Sequence, residues 1–343
     1  MPNAICGKRK AATKLRLRDD NEKFQERDMN IVFFGTSEFA IPSLKVLIAS
    51  QHKVLALVTQ PDRKRGRDLK LSPPPTKVVA LGQNIPVYQP VNASGIESLE
   101  FLKKLNADLF VVISFGQILK KAALELPKLY SINLHGSLLP KYRGAAPTNW
   151  AVINGEKTSG VTIIKMNEKM DEGDIISKKE AAIGDEDTNI TLTEKLSEDG
   201  AKLLLDTIKT IEKEGKNLKL TKQDGSSASY APKLKKEDGL IDWSRPAGEI
   251  HNRVRGLLPW PGAYTYYDGK TLKILKTEIA SSVVLKETVP GEVVDIVKDK
   301  GIVVRTGTEN IAIEYLQLEG KKALDADSFV RGHKINPGYR FGG

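Results

Sequence analysis

The sequence predicts an α/β domain built on a helix-covered parallel sheet, followed by a smaller antiparallel β-barrel domain. Three observations carry that prediction. A chain of 343 residues is long enough for about two cores. From Met29 to Glu214, short β-rich runs alternate with amphipathic helical stretches, as a parallel sheet covered by helices requires. Beyond Lys236 the texture changes to short strands with close turn signals between them.

Residues 1–28 hold eight basic and five acidic side chains and almost no apolar periodicity, so they read as a disordered extension. Met29 opens the first apolar strand directly, and the folded protein is expected to start there. Strand-like runs follow at Ile31 to Phe34, Val54 to Thr59, Leu109 to Ser114 and Tyr130 to Leu134. Helical stretches lie between them, near Ile41 to Ser50, Pro75 to Gln83 and Ile96 to Leu105. Two further runs, Val161 to Met166 and Asp174 to Ala182, are separated by Asn167 to Gly173, which reads as a hairpin-like excursion off the sheet. A long helix from about Thr191 to Glu214, with Leu192, Leu196, Leu203, Leu204 and Ile208 at helical spacing, completes a domain over 29–214. Residues 215–236, rich in Lys, Gly and Ser, read as a linker. The last domain, 237–343, carries strand-like runs at Gly262 to Tyr267, Thr271 to Thr277, Gly291 to Ile296, Ile302 to Arg305 and Ile311 to Leu316. Asp268-Gly269 stands between the first two as a hairpin signal. Short antiparallel strands hide their edges by closing, hence the barrel.

Composition narrows the function. Lys and Arg number 53 against 43 Asp and Glu, a formal charge of +10, which makes a polyanionic partner a fair expectation. A well-solvated lysine-rich surface gives the same arithmetic. A single cysteine, Cys6, excludes a disulfide framework and cysteine-held metal clusters. The four histidines (His52, His135, His251, His333) show no metal-ligand spacing, so no metal is expected. No apolar run approaches the roughly 18 to 20 residues of a membrane span, and the N-terminus lacks a secretory apolar core. A cytoplasmic protein with no membrane partner is expected.

Gly35-Thr36-Ser37 follows the first strand without the later glycines of a dinucleotide fingerprint, and no Walker A sequence occurs. Gly35 is equally a tight turn or a ligand contact. The densest segment runs from Ser131 to Pro147. Asn133 and His135 are two apart on a strand, so both side chains leave on the same face, at the carboxyl end where open α/β sheets bind ligands. A lone histidine is more often structural, but the asparagine partner and the Gly and Pro run that follows favour function. Asp171, in Lys169-Met170-Asp171-Glu172-Gly173-Asp174, is a third candidate, with Glu172 and Asp174 competing. A carboxylate beside His135 would favour the imidazolium and make it a donor to a developing oxyanion.

Phe33-Phe34-Gly35-Thr36, Gln60-Pro61-Asp62-Arg63, the Asn133 to Pro147 segment, Gly160-Val161-Thr162, Met170 to Asp174 and Ile241-Asp242-Trp243-Ser244 together resemble the methionyl-tRNA formyltransferase family, over essentially the whole chain after Asp28. The Asn-x-His with a later Asp is shared by folate-dependent formyltransferases generally, and Pro259-Trp260-Pro261 resembles the tRNA enzymes in particular. The resemblance implies a Rossmann-like formyltransferase domain and a C-terminal OB-like β-barrel that binds tRNA. It implies transfer of a formyl group from 10-formyltetrahydrofolate, the donor cosubstrate, to the α-amino group of methionyl initiator tRNA, without metal, by a monomer. It matches Asn133, His135 and Asp171 to the catalytic trio and Ser137, Leu138, Leu139 and Pro140 to the folate-lining segment. Gly116, Ile118 and Leu119 fall where relatives cradle the pterin, with ordinary core packing as the alternative. The basic loop holding Arg63, Lys64, Arg65, Arg67 and Lys70 would meet the acceptor end of the tRNA, Arg67 matching a residue that helps recognise its unpaired end. Lys233, Lys235, Lys236, Arg253 and Arg255 would hold the acceptor arm, while Trp243 and Trp260 are expected in the core or between domains. The competing readings are a formyltransferase for a small amine, which needs no basic loop, and an RNA-binding adaptor with a vestigial trio.

Overall fold

The computed structural model describes residues 28–65, 70–280 and 288–342. The expectation for the N-terminal extension, Cys6 included, lies outside them except at Asp28.

In the first part of the chain the strands are β1 (Asn30–Gly35), β2 (Lys53–Val58), β3 (Arg63–Arg65), β4 (Lys70–Ser72), β5 (Val87–Tyr88), β6 (Leu109–Ile113), β7 (Tyr130–His135), β8 (Arg143–Gly144), β9 (Thr158–Lys165) and β10 (Ile175–Ala182). The helices are α1 (Ile41–Ile48), α2 (Pro75–Gly82), α3 (Ile96–Lys104), α4 (Lys121–Leu124), α5 (Pro147–Ile153) and α6 (Asn189–Glu214). Seven strands form one sheet in the order β10-β9-β7-β6-β1-β2-β5, parallel from β7 to β5. The two runs flanking Asn167 to Gly173 extend the sheet: β9 pairs antiparallel with β7, and β10 with β9. That order sets the β9–β10 connection beside the end of β7.

β1 shows why the parallel strands read as unbroken apolar runs. Ile31 and Phe33 pack in the cluster that holds Leu44 and Leu204, whereas Val32 and Phe34 pack in the opposite one with Leu102 and Leu119. α6 starts two residues earlier than its periodicity indicates, because Thr188 and Thr191 make a reciprocal cap: the Thr188 side chain accepts from the Thr191 N–H, and the Thr191 hydroxyl from the Thr188 N–H. Gly200 lets this helix lie against β7; a Cβ there would sit 2.7 Å from Leu134 Cδ2. Helix packing thus fixes the strand that carries Asn133 and His135.

The C-terminal part holds β11 (Tyr230–Ala231), α7 (Ala247–Gly256), β12 (Ala263–Tyr267), β13 (Lys270–Ala280), β14 (Val293–Val297), β15 (Gly301–Arg305), β16 (Asn310–Leu318), β17 (Leu324–Asp325) and α8 (Ala326–Gly332). Its sheet is antiparallel, as the turn signals predict, in the order β12-β13-β16-β15-β14 with β17 beside β16. The Asp268-Gly269 hairpin forms, both residues taking the positive φ that its turn needs. Among the described residues, outer strands β12 and β14 are not paired with each other; the Leu240–Tyr264 bridge meets β12. Trp243 is core as expected, 7% exposed and stacked near Phe341, but Trp260 is 54% exposed, a departure from the expected burial.

Residues 215–236 do connect the two sheets, yet they are stitched down. Thr221 bridges Ile175, and β11 pairs parallel with β8. α5 packs on α7, where Asn149 Nδ2 donates to the Gly256 carbonyl and a Cβ on Gly256 would lie 2.6 Å from Ile153 Cγ1. Arg255, expected to reach RNA, is 7% exposed and donates instead to the Gly184 and Asp187 carbonyls. Arg253 likewise donates to the Asp238 carbonyl.

His251 lies at this junction, its Nδ1 3.1 Å from Thr277 Oγ1. Burial first, and the Arg255 charge second, hold its imidazole below the usual value of 6.5. As pH falls through 6.5 the unfolded chain takes up this proton first, so the stability conferred by the neutral ring is present above that pH and lost below it. The unfolding midpoint is expected to drop from pH 7 to pH 5 less steeply in His251→Asn than in wild type. Equal slopes in thermal melts across that range would show that His251 is not the titrating group.

Candidate active site

A cavity of about 710 Å³ opens at the carboxyl edge of the sheet. Asn133, His135 and Asp171 all line it, so the residues that the sequence separates are brought together. β7 supplies the first two, with Asn133 paired opposite Val112 and His135 opposite Thr162. Asn133 Nδ2 donates to the Val112 carbonyl at 3.0 Å, which orients the amide and leaves one N–H free. Its Oδ1 is buried without a protein partner.

The His135 ring is 7% exposed. Its Nε2 stands 2.9 Å from the Tyr142 carbonyl; a carbonyl only accepts, so Nε2 carries a hydrogen and donates it there. Nδ1 is the nitrogen left for chemistry, and it faces Asp171 Oδ1 at 3.7 Å, an ion-pair distance too long for a direct hydrogen bond. The other carboxylate oxygen, Oδ2, accepts from the Gly144 N–H at 2.8 Å. Asp171 itself takes a positive φ of 55°, and Gly173 after it has no room for a side chain, since a Cβ would lie 1.9 Å from the Lys165 carbonyl oxygen. Glu172, one competing acid, is 3.4 Å from Arg143, and Asp174 lines no part of the cavity.

Tyr142, whose carbonyl orients His135, is fixed at both ends. Its backbone has φ 60°, and its hydroxyl donates to Glu156 Oε1 at 2.8 Å. Burial foremost pushes its phenol up to about 12, so it stays neutral and keeps that donor at neutral pH.

Gly116, Ile118 and Leu119 line the cavity, Gly116 with a positive φ of 85°. With Phe115, Ile164, Met166 and Met170 they give it an apolar flank. Ser137, Leu138, Leu139 and Pro140 do not line it. They form a turn behind His135, where Ser137 Oγ donates to the Lys141 carbonyl, the Leu139 N–H to Thr162 Oγ1 and Lys178 Nζ to the Leu139 carbonyl.

The basic loop is in part a hairpin, with β3 antiparallel to β4 and Lys64 opposite Leu71. Arg63 reaches the cavity and donates to Gln60 Oε1 at 2.9 Å. Lys64 and Lys70 are exposed beside it. Arg67 and the Arg65 side chain lie outside the described residues. The hairpin's base is braced by Asp62, whose carboxyl is held below its usual range by hydrogen bonds from Gln89 and then Lys77. Lys233 also lines the cavity. Sequence reasoning missed Gln60, Arg143, Tyr142 and Gln223 around the site; all four act on backbone carbonyls, through their own, or on other side chains, which leaves no spacing signature. Among the described residues no cluster of three or more His, Cys, Asp or Glu could hold a metal ion, and no helix is long and apolar enough to cross a membrane.

Comparison with known proteins agrees with this geometry. The family pattern for formyl transferases matches residues 29–208, and that for the formyl transferase C-terminal domain matches 233–334. A methionyl-tRNA formyltransferase of Citrifermentans bemidjiense is 50% identical over 311 residues, 90% of this chain and 95% of the relative. One from Geobacter sulfurreducens is 45% identical over 314 residues, 92% and 97% of the two chains. Among solved structures, the sugar 3N-formyl transferase WlaRD, crystallised with dTDP and 5-N-formyl-THF, shares the fold with a TM-score of 0.61 at 21% identity, covering 86% of this chain and all of that one. With half its residues identical to one such enzyme along nearly their full common length, and with both family patterns matched, the chain belongs to the methionyl-tRNA formyltransferase family of formyl transferases.

Proposed function

We propose that this protein transfers the formyl group of 10-formyltetrahydrofolate to the α-amino group of methionyl initiator tRNA, for translation initiation, as a cytoplasmic monomer. The observation that carries the reading is that one cavity holds Asn133, His135 and Asp171 and is also reached by Arg63 from the basic hairpin. The residues present suit a folate. The apolar flank at Phe115, Ile118, Leu119 and Met166 fits a flat pterin. When bound, the folate supplies the formyl carbon that the amine attacks.

Each protein group then has a defined task. The free Asn133 N–H and the Nδ1–H of protonated His135 hold the charge that gathers on the formyl oxygen, each such donor worth about 3 kcal/mol of barrier. Asp171 stabilises the imidazolium and would take up, through water, the proton that the amine releases; that proton balances the one the folate's N10 gains as its bond to the formyl carbon breaks. Arg63 and the neighbouring lysines neutralise phosphates at the acceptor end.

Labelled formyl donor offered in parallel to charged initiator tRNA, elongator methionyl-tRNA and a small amine tests the reading. Label should enter the initiator tRNA; preference for the small amine would overturn it. Arg63→Ala is expected to reduce the slope of log kcat/KM against log salt by about 0.7 to 0.9, one phosphate contact. An unchanged slope would remove Arg63 from the RNA interface.

A further inference from the structure

We propose that Gln223, in the segment joining the two sheets, is a positioning residue for Asp171. Its Nε2 donates to the Asp171 and Gly173 carbonyls, both at 2.7 Å. Its Oε1 accepts from Arg143 Nε at 3.2 Å and Nη2 at 2.8 Å. Carbonyls only accept and a guanidinium only donates, so the amide has one possible orientation. Arg143, 6% exposed, is 3.4 Å from the Glu172 carboxylate through Nη1. Three consecutive residues, Asp171, Glu172 and Gly173, are therefore gripped from outside their own loop.

The loop needs such a grip. Asp171 sits at φ 55°, where side chains with a Cβ are disfavoured unless their surroundings hold them. The loop's internal bonds, Asn167 Nδ2 to the Glu172 carbonyl and the Lys169 N–H to Asn167 Oδ1, shape its tip without tying it to the body of the protein. The Gln223 amide makes that tie at the Asp171 carbonyl itself. Backbone orientation at residue 171 determines whether Oδ2 meets the Gly144 N–H and Oδ1 faces His135. Gln223 is itself kept in place, because Thr221 bridges Ile175 two residues before it and β11 pairs with β8 soon after it.

The inference rests on the role proposed for Asp171, and a double-mutant cycle tests it. Gln223→Leu should lower the single-turnover formyl-transfer rate at least about tenfold, with KM for both substrates within about twofold of wild type. In an Asp171→Asn background the same substitution should change the rate by less than about twofold, since a residue that acts only through Asp171 has nothing left to position. Gln223→Glu is the second variant, and serves if Gln223→Leu does not fold. It can still accept from Arg143 but cannot donate to the two carbonyls, so it should behave like Gln223→Leu. A rate equal to wild type in Gln223→Glu, or the same loss in both backgrounds, would overturn the proposal. Exchange of the Gly144 amide, which donates to Asp171 Oδ2, gives a readout independent of activity, and should quicken at least about tenfold in either variant. If wild type formylates no methionyl-tRNA yet exchange quickens, the proposed function fails and the clamp stands. Unaltered exchange removes the clamp whatever the wild-type activity.

Discussion

His135→Ala is expected to lower kcat about 10²- to 10³-fold, the effect of deleting one oxyanion donor, with little change in tRNA affinity. The ring is largely enclosed, and it binds to the rest of the protein through Nε2 and the Tyr142 carbonyl, away from the face that meets Asp171. Its loss removes Nδ1, the ring nitrogen free for the formyl oxygen, while the basic hairpin is untouched. His135→Gln is an informative companion, because its amide can keep a donor near the same place without carrying charge. Steady-state kinetics and tRNA binding on the same preparations separate the two quantities. A tRNA affinity that falls in step with kcat would mean that His135 shapes the acceptor site.

Asp171→Asn should cost about 10²- to 10⁴-fold in kcat while leaving the fold intact. The asparagine can turn its carbonyl oxygen toward the Gly144 N–H, so the bond made by Oδ2 survives. That choice points its NH₂ group at His135, where a second donor meets a nitrogen that must itself donate. The charge favouring the imidazolium is gone, and the group that relays the amine's proton is gone with it. A kcat within about twofold of wild type in Asp171→Asn would show that the carboxylate takes no part in the transfer.

The parts of this architecture that were legible share a cause. β1 and β6 are covered on both faces, so their residues form nearly unbroken apolar runs that leave little choice of structure. Asn133 and His135 were legible as a pair because a strand sends alternate side chains to one face. The nearness of Asp171 was not, because it depends on β9 lying beside β7, a matter of sheet order that no local pattern encodes. Gln223 was invisible for another reason. It stands in Gln-Asp-Gly-Ser-Ser, a composition that signals a connector, and its contacts are to backbone carbonyls that every residue type offers. Arg255 shows the converse: a cation expected to meet RNA is itself enclosed and donates to the Gly184 and Asp187 carbonyls of the neighbouring domain.

The position of Arg255 also bears on how this protein meets a polyelectrolyte. A formal surplus of ten positive charges suggests a broad attractive field, yet part of that inventory is internally committed. Arg143 and Arg255 are enclosed, and Lys77, Lys179 and Lys276 each lie against a carboxylate. Ions displaced on association should therefore number far fewer than the cations in the composition, and should trace a narrow track past the hairpin rather than a coat over the whole molecule.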